Sequence, residues 1–185
     1  MTNMASTETP AGGFDVERVR ADFPILADEM NGKPLVFLDS AASAQKPRAV
    51  IDAVRHVYEH EYANVHRGLY ALSEAATARY EGSREKVRAL VNAASTKEII
   101  YTRNATEAIN LVAASWGRAF LGEGDEVVIS ELEHHSNIVP WQLLRDEKGI
   151  VLRVVPVTDE GAFDIDAYEA MLGPKTRLVA LAHVS

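Results

Sequence analysis

Residues 98–135 read EIIYTRNATEAINLVAASWGRAFLGEGDEVVISELEHH, and this stretch decides the fold. The β-branched run Ile99-Ile100-Tyr101-Thr102 has the character of a buried strand. Arg103-Asn104-Ala105-Thr106 turns the chain, and Ala105, Ile109, Val112, Ala113, Trp116 and Phe120 then recur with the spacing of one helix face. Gly122-Glu123-Gly124-Asp125 breaks the helix, and Glu126-Val127-Val128-Ile129 forms a second strand ending at Ser130, followed by Glu131, Glu133, His134 and His135. Strand, helix, strand in so short a span predicts two parallel strands joined by a right-handed crossover. Asn104–Thr106 and His134 then fall at the carboxyl edge of one sheet, where open α/β sheets bind ligands.

The turn has its own chemistry. Asn104 is placed to cap the helix, with Glu107 three residues on, as in a capping box. The N–H groups of Ala105 and Thr106 then project from the helix start, beside a hydroxyl, and suit a phosphate. No Walker motif or GxGxxG ties that anion to a nucleotide. The same pattern also serves as an ordinary capped helix.

Outward from this unit, the 185 residues suffice for a domain with a real core, and 47% hydrophobic content marks a globular chain. A net charge of −8 argues against nucleic acid or an anionic membrane surface as partner. No apolar run approaches the length of a membrane span. There is no cysteine, so no thiol chemistry resides in these residues. Residues 1–13, MTNMASTETPAGG, lack the features of a signal peptide and read as a loose tail; the cytoplasm is the expected location.

In order, residues 14–28 suggest a short amphipathic helix interrupted by Pro24. Asn31-Gly32-Lys33-Pro34 reads as a turn, and Leu35-Val36-Phe37-Leu38 as a short strand running into Asp39-Ser40-Ala41-Ala42-Ser43. A helix starts at Pro47 and ends near Tyr62; a loop over 63–70 leads to a helix capped by Ser73 or Thr77 that packs Ala76, Tyr80, Val87, Leu90 and Val91. Residues 140–147 are expected helical, 151–155 a strand, 164–172 a helix capped by Asp164, and 177–182 a last strand. The alternation predicts a mostly parallel sheet covered by helices on both faces. Because Ser185 falls where a loop and helix should follow a strand, the chain reads as the N-terminal part of a longer protein.

Two histidine groups invite chemistry. His56-Val57-Tyr58-Glu59-His60 matches H-x-x-E-H, in which two histidines share a zinc and the glutamate is the base; a solvated helix face is the plainer alternative. Glu133-His134-His135 ends the second strand. Adjacent residues of an extended chain point to opposite sides, so one imidazole can face the sheet edge and stack on a flat ring held at the Thr106 turn.

Five stretches in order, LDSAASAQKP (38–47), NVHRGLYALS (64–73), TRNATEAINLVA (102–113), ELEHHSNIVPWQ (131–142) and LVALAHVS (178–185), resemble cysteine desulfurases of the SufS type (class II). These belong to the aminotransferase class V family of fold-type-I enzymes that use pyridoxal 5′-phosphate. The resemblance implies residues 14–34 packing with a small domain and 35–185 forming the N-terminal part of the cofactor-binding large domain. It implies that Ala105 and Thr106 hold the cofactor phosphate. His134 would stack on the pyridine ring and assist proton transfer. Asp39, Ser40, Ala41 and His66 would lie by the substrate, and Arg67 and Glu107 near the dimer interface. No metal is implied. The family's cofactor-binding lysine, its aspartate at the pyridine nitrogen, its nucleophilic cysteine and its carboxylate-binding arginine belong to later motifs. None of Lys33, Lys46, Lys86, Lys97, Lys148 and Lys175 stands in the lysine motif's context.

The implied activity converts L-cysteine to L-alanine and an enzyme persulfide for iron–sulfur cluster assembly. The implied partners are a second copy of the chain and a sulfur acceptor of the SufE or SufU kind. Within the family the alternatives are a selenocysteine lyase or another β-lyase using the same cofactor. Outside it they are a zinc hydrolase at His56, Glu59 and His60, and a purely structural piece.

Overall fold

A computed structural model describes residues 13–185; apart from Gly13, the expected tail over 1–13 lies outside the described residues. The chain divides after Ile99 into two compact units.

In the first unit, α1 (Val16–Ala21) starts where Asp15 accepts from the Arg18 N–H at 3.0 Å. Pro24 opens a separate 3-10 turn (Pro24–Ala27), so the expected interruption is real. Asn31 and Gly32, at φ 54° and 71°, form a two-residue hairpin turn. It pairs β1 (Glu29–Met30) with β2 (Lys33–Pro34) antiparallel. The strand expected at 35–38 does not form: Leu35 only extends the hairpin by one bond, its N–H donating to the Asp28 carbonyl (3.0 Å), no strand pairs with the rest among the described residues, and Leu38 is 91% exposed. Helix α2 (Arg48–His56) follows Pro47 and widens into a π turn (Val57–Glu61) that stops at Tyr62.

Helix α3 (Ala71–Leu90) begins at Tyr70 without a side-chain cap. Ser73 and Thr77, expected as caps, turn back instead. The Ser73 hydroxyl donates to the Asn64 carbonyl (2.6 Å) and accepts from the Gly68 N–H (3.0 Å). Thr77 Oγ1 accepts from the His66 N–H (3.0 Å). Two hydroxyls on one helix face thus fasten the 63–70 loop by its backbone, and Ser73 is fully buried doing so. Leu90 and Val91, expected to pack, are exposed.

The second unit carries the sheet. Helix α4 (Ala105–Val112) continues through a π turn (Ala113–Gly117) into α5 (Arg118–Phe120). The extra residue in that turn rotates the register, so Ala113 and Gly117 are buried while Phe120, expected on the inner face, is 68% exposed. The strands are β3 (Glu126–Ser130), β4 (Val151–Val155) and β5 (Thr176–Val179), all parallel, in the order β4-β3-β5. Central β3, paired on both sides, buries Val127, Val128, Ile129 and Ser130, as an apolar run in a parallel sheet should.

Helix α6 (Val139–Lys148) connects β3 to β4. It has Pro140 in its first turn and ends at Gly149, whose φ of 72° lets its N–H reach the Arg145 carbonyl at 2.9 Å. Helix α7 (Ile165–Met171) leads on to β5 and is capped as expected, Asp164 accepting from the Ala167 N–H at 2.9 Å. Val127, Ile129, Trp141, Leu144 and Ile150 make the core between the sheet and the helices.

One expected strand fails here. Residues 99–102 are extended but unpaired among the described residues, and Ile100 is 68% exposed. Both edges of β3 are taken by β4 and β5. Helix α4 and the turn after it pack Ile109 and Ala113 on the core, and Asn104 caps its start.

An ion pair closes the bottom of the sheet. The Asp125 carboxylate accepts from the Gly122 N–H (2.9 Å) and from Arg177 Nε (3.0 Å). The amide bond first, and the guanidinium second, hold its pKa below the ordinary carboxylate value. A depressed folded-state pKa adds stability above the unfolded pKa and loses it as pH falls through the lowered value. Asp125→Asn should therefore lower the denaturant midpoint at neutral pH, and its gap to the parent should close below about pH 4. A gap of equal size in acid would show that the charge is not what Asp125 contributes.

Candidate functional site at the carboxyl edge of the sheet

Past β3 the chain does not stay extended. Leu132–His134 turn into a 3-10 turn (His135–Asn137), and His134 caps it, Nδ1 accepting from the Ser136 N–H at 3.1 Å. The rings of His134 and His135 meet edge-on with centroids 5.8 Å apart. They are thus neighbours on a tight turn, not opposite faces of a strand. His134 lines a cavity of about 540 Å³ together with Ala105, Ile109, Asn137, Leu178 and Ala180, and His135 is absent from that lining.

A polar chain, half-buried at Glu133 and buried at Asn137 and Trp141, holds the cavity wall. Glu133 Oε1 accepts from Ser130 Oγ (2.8 Å) and from the Ala182 N–H (2.9 Å). Glu133 Oε2 accepts from Asn137 Nδ2 (2.7 Å). The same amide nitrogen donates to the Ala180 carbonyl (3.0 Å), and Asn137 Oδ1 accepts from the buried Trp141 Nε1 (2.9 Å). These bonds explain why β5 stops at Val179 when a strand to 182 was expected. Ala180 still donates its N–H to the Val128 carbonyl (2.9 Å), but its own carbonyl and the Ala182 N–H are taken by side chains of the His134 turn. Asn137 and Trp141 were not singled out from sequence, and Glu133 was read only as the neighbour of the two histidines. Asn137 and Trp141, four residues apart, have the spacing of one helix face, but Glu133 lies before the 3-10 turn and its bonds carry no such signal.

At the other wall, Asn104 Oδ1 accepts from the Glu107 N–H at 2.9 Å, the expected cap. Glu107 departs from the capping box. Its carboxylate reaches past Asn104 to the Arg103 N–H (2.6 Å) and pairs with the Arg103 guanidinium (3.1 Å). The guanidinium bond, then the amide bond, holds the Glu107 carboxyl below its ordinary pKa. Among the described residues, the Ala105 and Thr106 N–H groups find no acceptor. Two free donors at the positive end of a helix dipole, with Ala105 lining the cavity, make an anion seat.

The remaining site residues belong to the first unit. Asp39 accepts from the Ser43 N–H through its backbone carbonyl (3.1 Å), so residues 39–43 form a turn of small side chains. His66 adopts φ 63°; its Nε2 lies 2.9 Å from Glu81 Oε1 and its ring meets Tyr80 edge-on at 5.9 Å. Arg67 is exposed beside it. In the H-x-x-E-H segment, His56 pairs with Glu61 (3.2 Å) and His60 with Glu59 (3.6 Å). Among the described residues no three histidine, aspartate or glutamate side chains gather as metal ligands.

Residues 36–185 match the aminotransferase class-V family model. The cysteine desulfurase of Pectobacterium atrosepticum is 53% identical over 172 residues, covering 93% of this chain and 42% of that protein. The cysteine desulfurase of Synechococcus elongatus is 53% identical over 175 residues, 95% of this chain and 28% of that protein. The chain thus spans well under half the length of these relatives. Among solved structures, an apo cysteine desulfurase from Thermococcus onnurineus NA1 superposes with a TM-score of 0.81 at 36% identity, covering 98% of this chain and 42% of that one. The cysteine desulfurase CsdA from Escherichia coli, in an S-sulfonic acid form, gives 0.73 at 40% identity, covering 90% and 40%. The family match takes in both the His134 turn and the start of α4, and on it the chain belongs to the aminotransferase class-V family.

Proposed function

We propose that the protein is a cysteine desulfurase of the SufS type that uses pyridoxal 5′-phosphate to take sulfur from L-cysteine, leaving L-alanine. The observation that carries this reading is one cavity lined both by Ala105, which with Thr106 carries the unpaired N–H groups of a helix start, and by the His134 imidazole. The donor set fits the cofactor. A phosphate wants backbone donors at a helix N-terminus, which Ala105 and Thr106 supply, and a flat heteroaromatic ring wants an aromatic face in a mostly apolar cavity, which His134 and its neighbours supply. When bound, pyridoxal phosphate supplies an electron sink for an amino acid's α-carbon.

The chain's own residues do the rest. Ala105 and Thr106 anchor the phosphate. His134 fixes the ring plane and handles a proton at Nε2. The Glu133–Asn137–Trp141 chain keeps the His134 turn pressed to the strand ends. Asp39, Ser40, Ala41 and His66 are proposed to serve the substrate, and Arg67 and Glu107 a homodimer interface. The proposed location is the cytoplasm, the proposed acceptor a protein of the SufE or SufU kind, and the proposed use iron–sulfur cluster assembly.

Sulfur transfer needs a thiol to receive it, and the 185 residues contain no cysteine. This segment expressed alone should release no alanine from L-cysteine with added cofactor above a protein-free control. The full-length protein should release it. Alanine from the segment alone would sink the assignment of sulfur transfer to residues outside it.

A further inference from the structure

The hydrogen bonds of His134 settle more than its place in the cavity. Its Nδ1 lies 3.1 Å from the backbone nitrogen of Ser136 and 3.0 Å from Ser136 Oγ. A backbone amide donates and never accepts. Nδ1 must therefore present its lone pair to Ser136, and a neutral imidazole with Nδ1 bare carries its one proton on Nε2. Among the described residues Nε2 has no hydrogen-bond partner. The usual second partner of a working histidine is an oxygen that takes the Nδ1 proton and leaves Nε2 a base. The arrangement at His134 is the reverse.

We propose that Ser136 is a positioning residue that holds neutral His134 as the Nε2–H tautomer, so that the ring offers the cavity a hydrogen-bond donor and not a base. The amide N–H does the selecting. The Ser136 hydroxyl, which can donate or accept, adds a second contact that fixes the ring plane. The tautomer stands on this geometry alone. Its consequence, that Nε2–H faces an electron-rich atom of the ligand, rests on the function proposed above.

The test is long-range proton–nitrogen NMR on full-length protein labelled with 15N-histidine, without cofactor, at a pH well above the usual imidazole range. His134→Gln identifies the resonance pair. The expected spectrum has Nδ1 at the unprotonated position and Nε2 at the protonated one, and Ser136→Ala, which keeps the amide, should retain it. Ser136→Pro removes the amide and should shift both nitrogens to intermediate values, as tautomers mix. A parent spectrum with Nδ1 protonated overturns the proposal. So does a Ser136→Pro protein whose pattern stays unchanged. A mixed pattern in Ser136→Ala overturns the role given to the amide, and this arm decides if Ser136→Pro does not fold. Cofactor binding is read separately from visible absorbance, so a failed tautomer leaves the cofactor reading standing, and the reverse.

Discussion

In the full-length protein, His134→Ala should cut alanine production from L-cysteine by about a hundredfold or more while leaving cofactor content nearly unchanged. The magnitude follows from what an imidazole does at such a place. A positioned proton carrier is worth about 10²–10⁴ in rate, and a single donor aimed at developing charge about 10²–10³. Stacking alone is worth only about 0.5–1.5 kcal/mol, so the loss should appear in turnover and not in retention of the ring. The proposed anion seat at Ala105 and Thr106 is on a different element and should survive the change. His135, which does not line the cavity, should tolerate alanine with a much smaller loss. Visible absorbance and alanine release for both variants decide the matter. If His135→Ala is the inactive one, the wrong imidazole has been placed at the ring.

The second large effect is structural. Asn137 is buried and satisfies three groups at once: the Glu133 carboxylate, the Ala180 carbonyl and the Trp141 indole N–H. Asn137→Ala leaves that indole N–H buried without a partner, a cost of about 1–3 kcal/mol, and removes a charged hydrogen bond worth about 1.5–3 kcal/mol. The total should exceed about 2 kcal/mol, a large share of the stability of an ordinary domain. Adding Trp141→Phe to Asn137→Ala removes the unpaired donor and should cost less than the sum of the two single changes. Denaturant midpoints for the four proteins of that cycle test it. Strict additivity would mean that the indole and the amide are not coupled.

Much of this site can be read from the sequence, and the failures have physical causes. The Asn104 cap, the apolar strand 126–130, the helix after Pro140 and the Asp164 cap are local features, fixed by side chains within a few residues, and all are legible. The segments 35–38 and 99–102 carry strand-forming residues, but a strand exists only when a neighbour pairs with it. For 99–102 the neighbouring positions on β3 are occupied by β4 and β5. The rotation at Ala113–Gly117 is invisible to a search for helical period, because a π turn shifts the face without changing the residues. The Glu133–Asn137 network is hidden for another reason. Its partners are backbone groups of Ala180 and Ala182, more than forty residues away along the chain, and a backbone group has no signature in a sequence. The bond from Ser136 to His134 is hidden likewise, though only two residues separate them.

The most direct test of the central claim is to supply the full-length protein with pyridoxal 5′-phosphate, L-cysteine and a thiol reductant, and to measure alanine, sulfide and pyruvate together. The predicted result is alanine and sulfide in equal amounts, without pyruvate, and loss of alanine formation in His134→Ala. Sulfide accompanied by pyruvate and ammonia would contradict it, because the carbon skeleton would then have been eliminated and hydrolysed instead of being reprotonated to alanine.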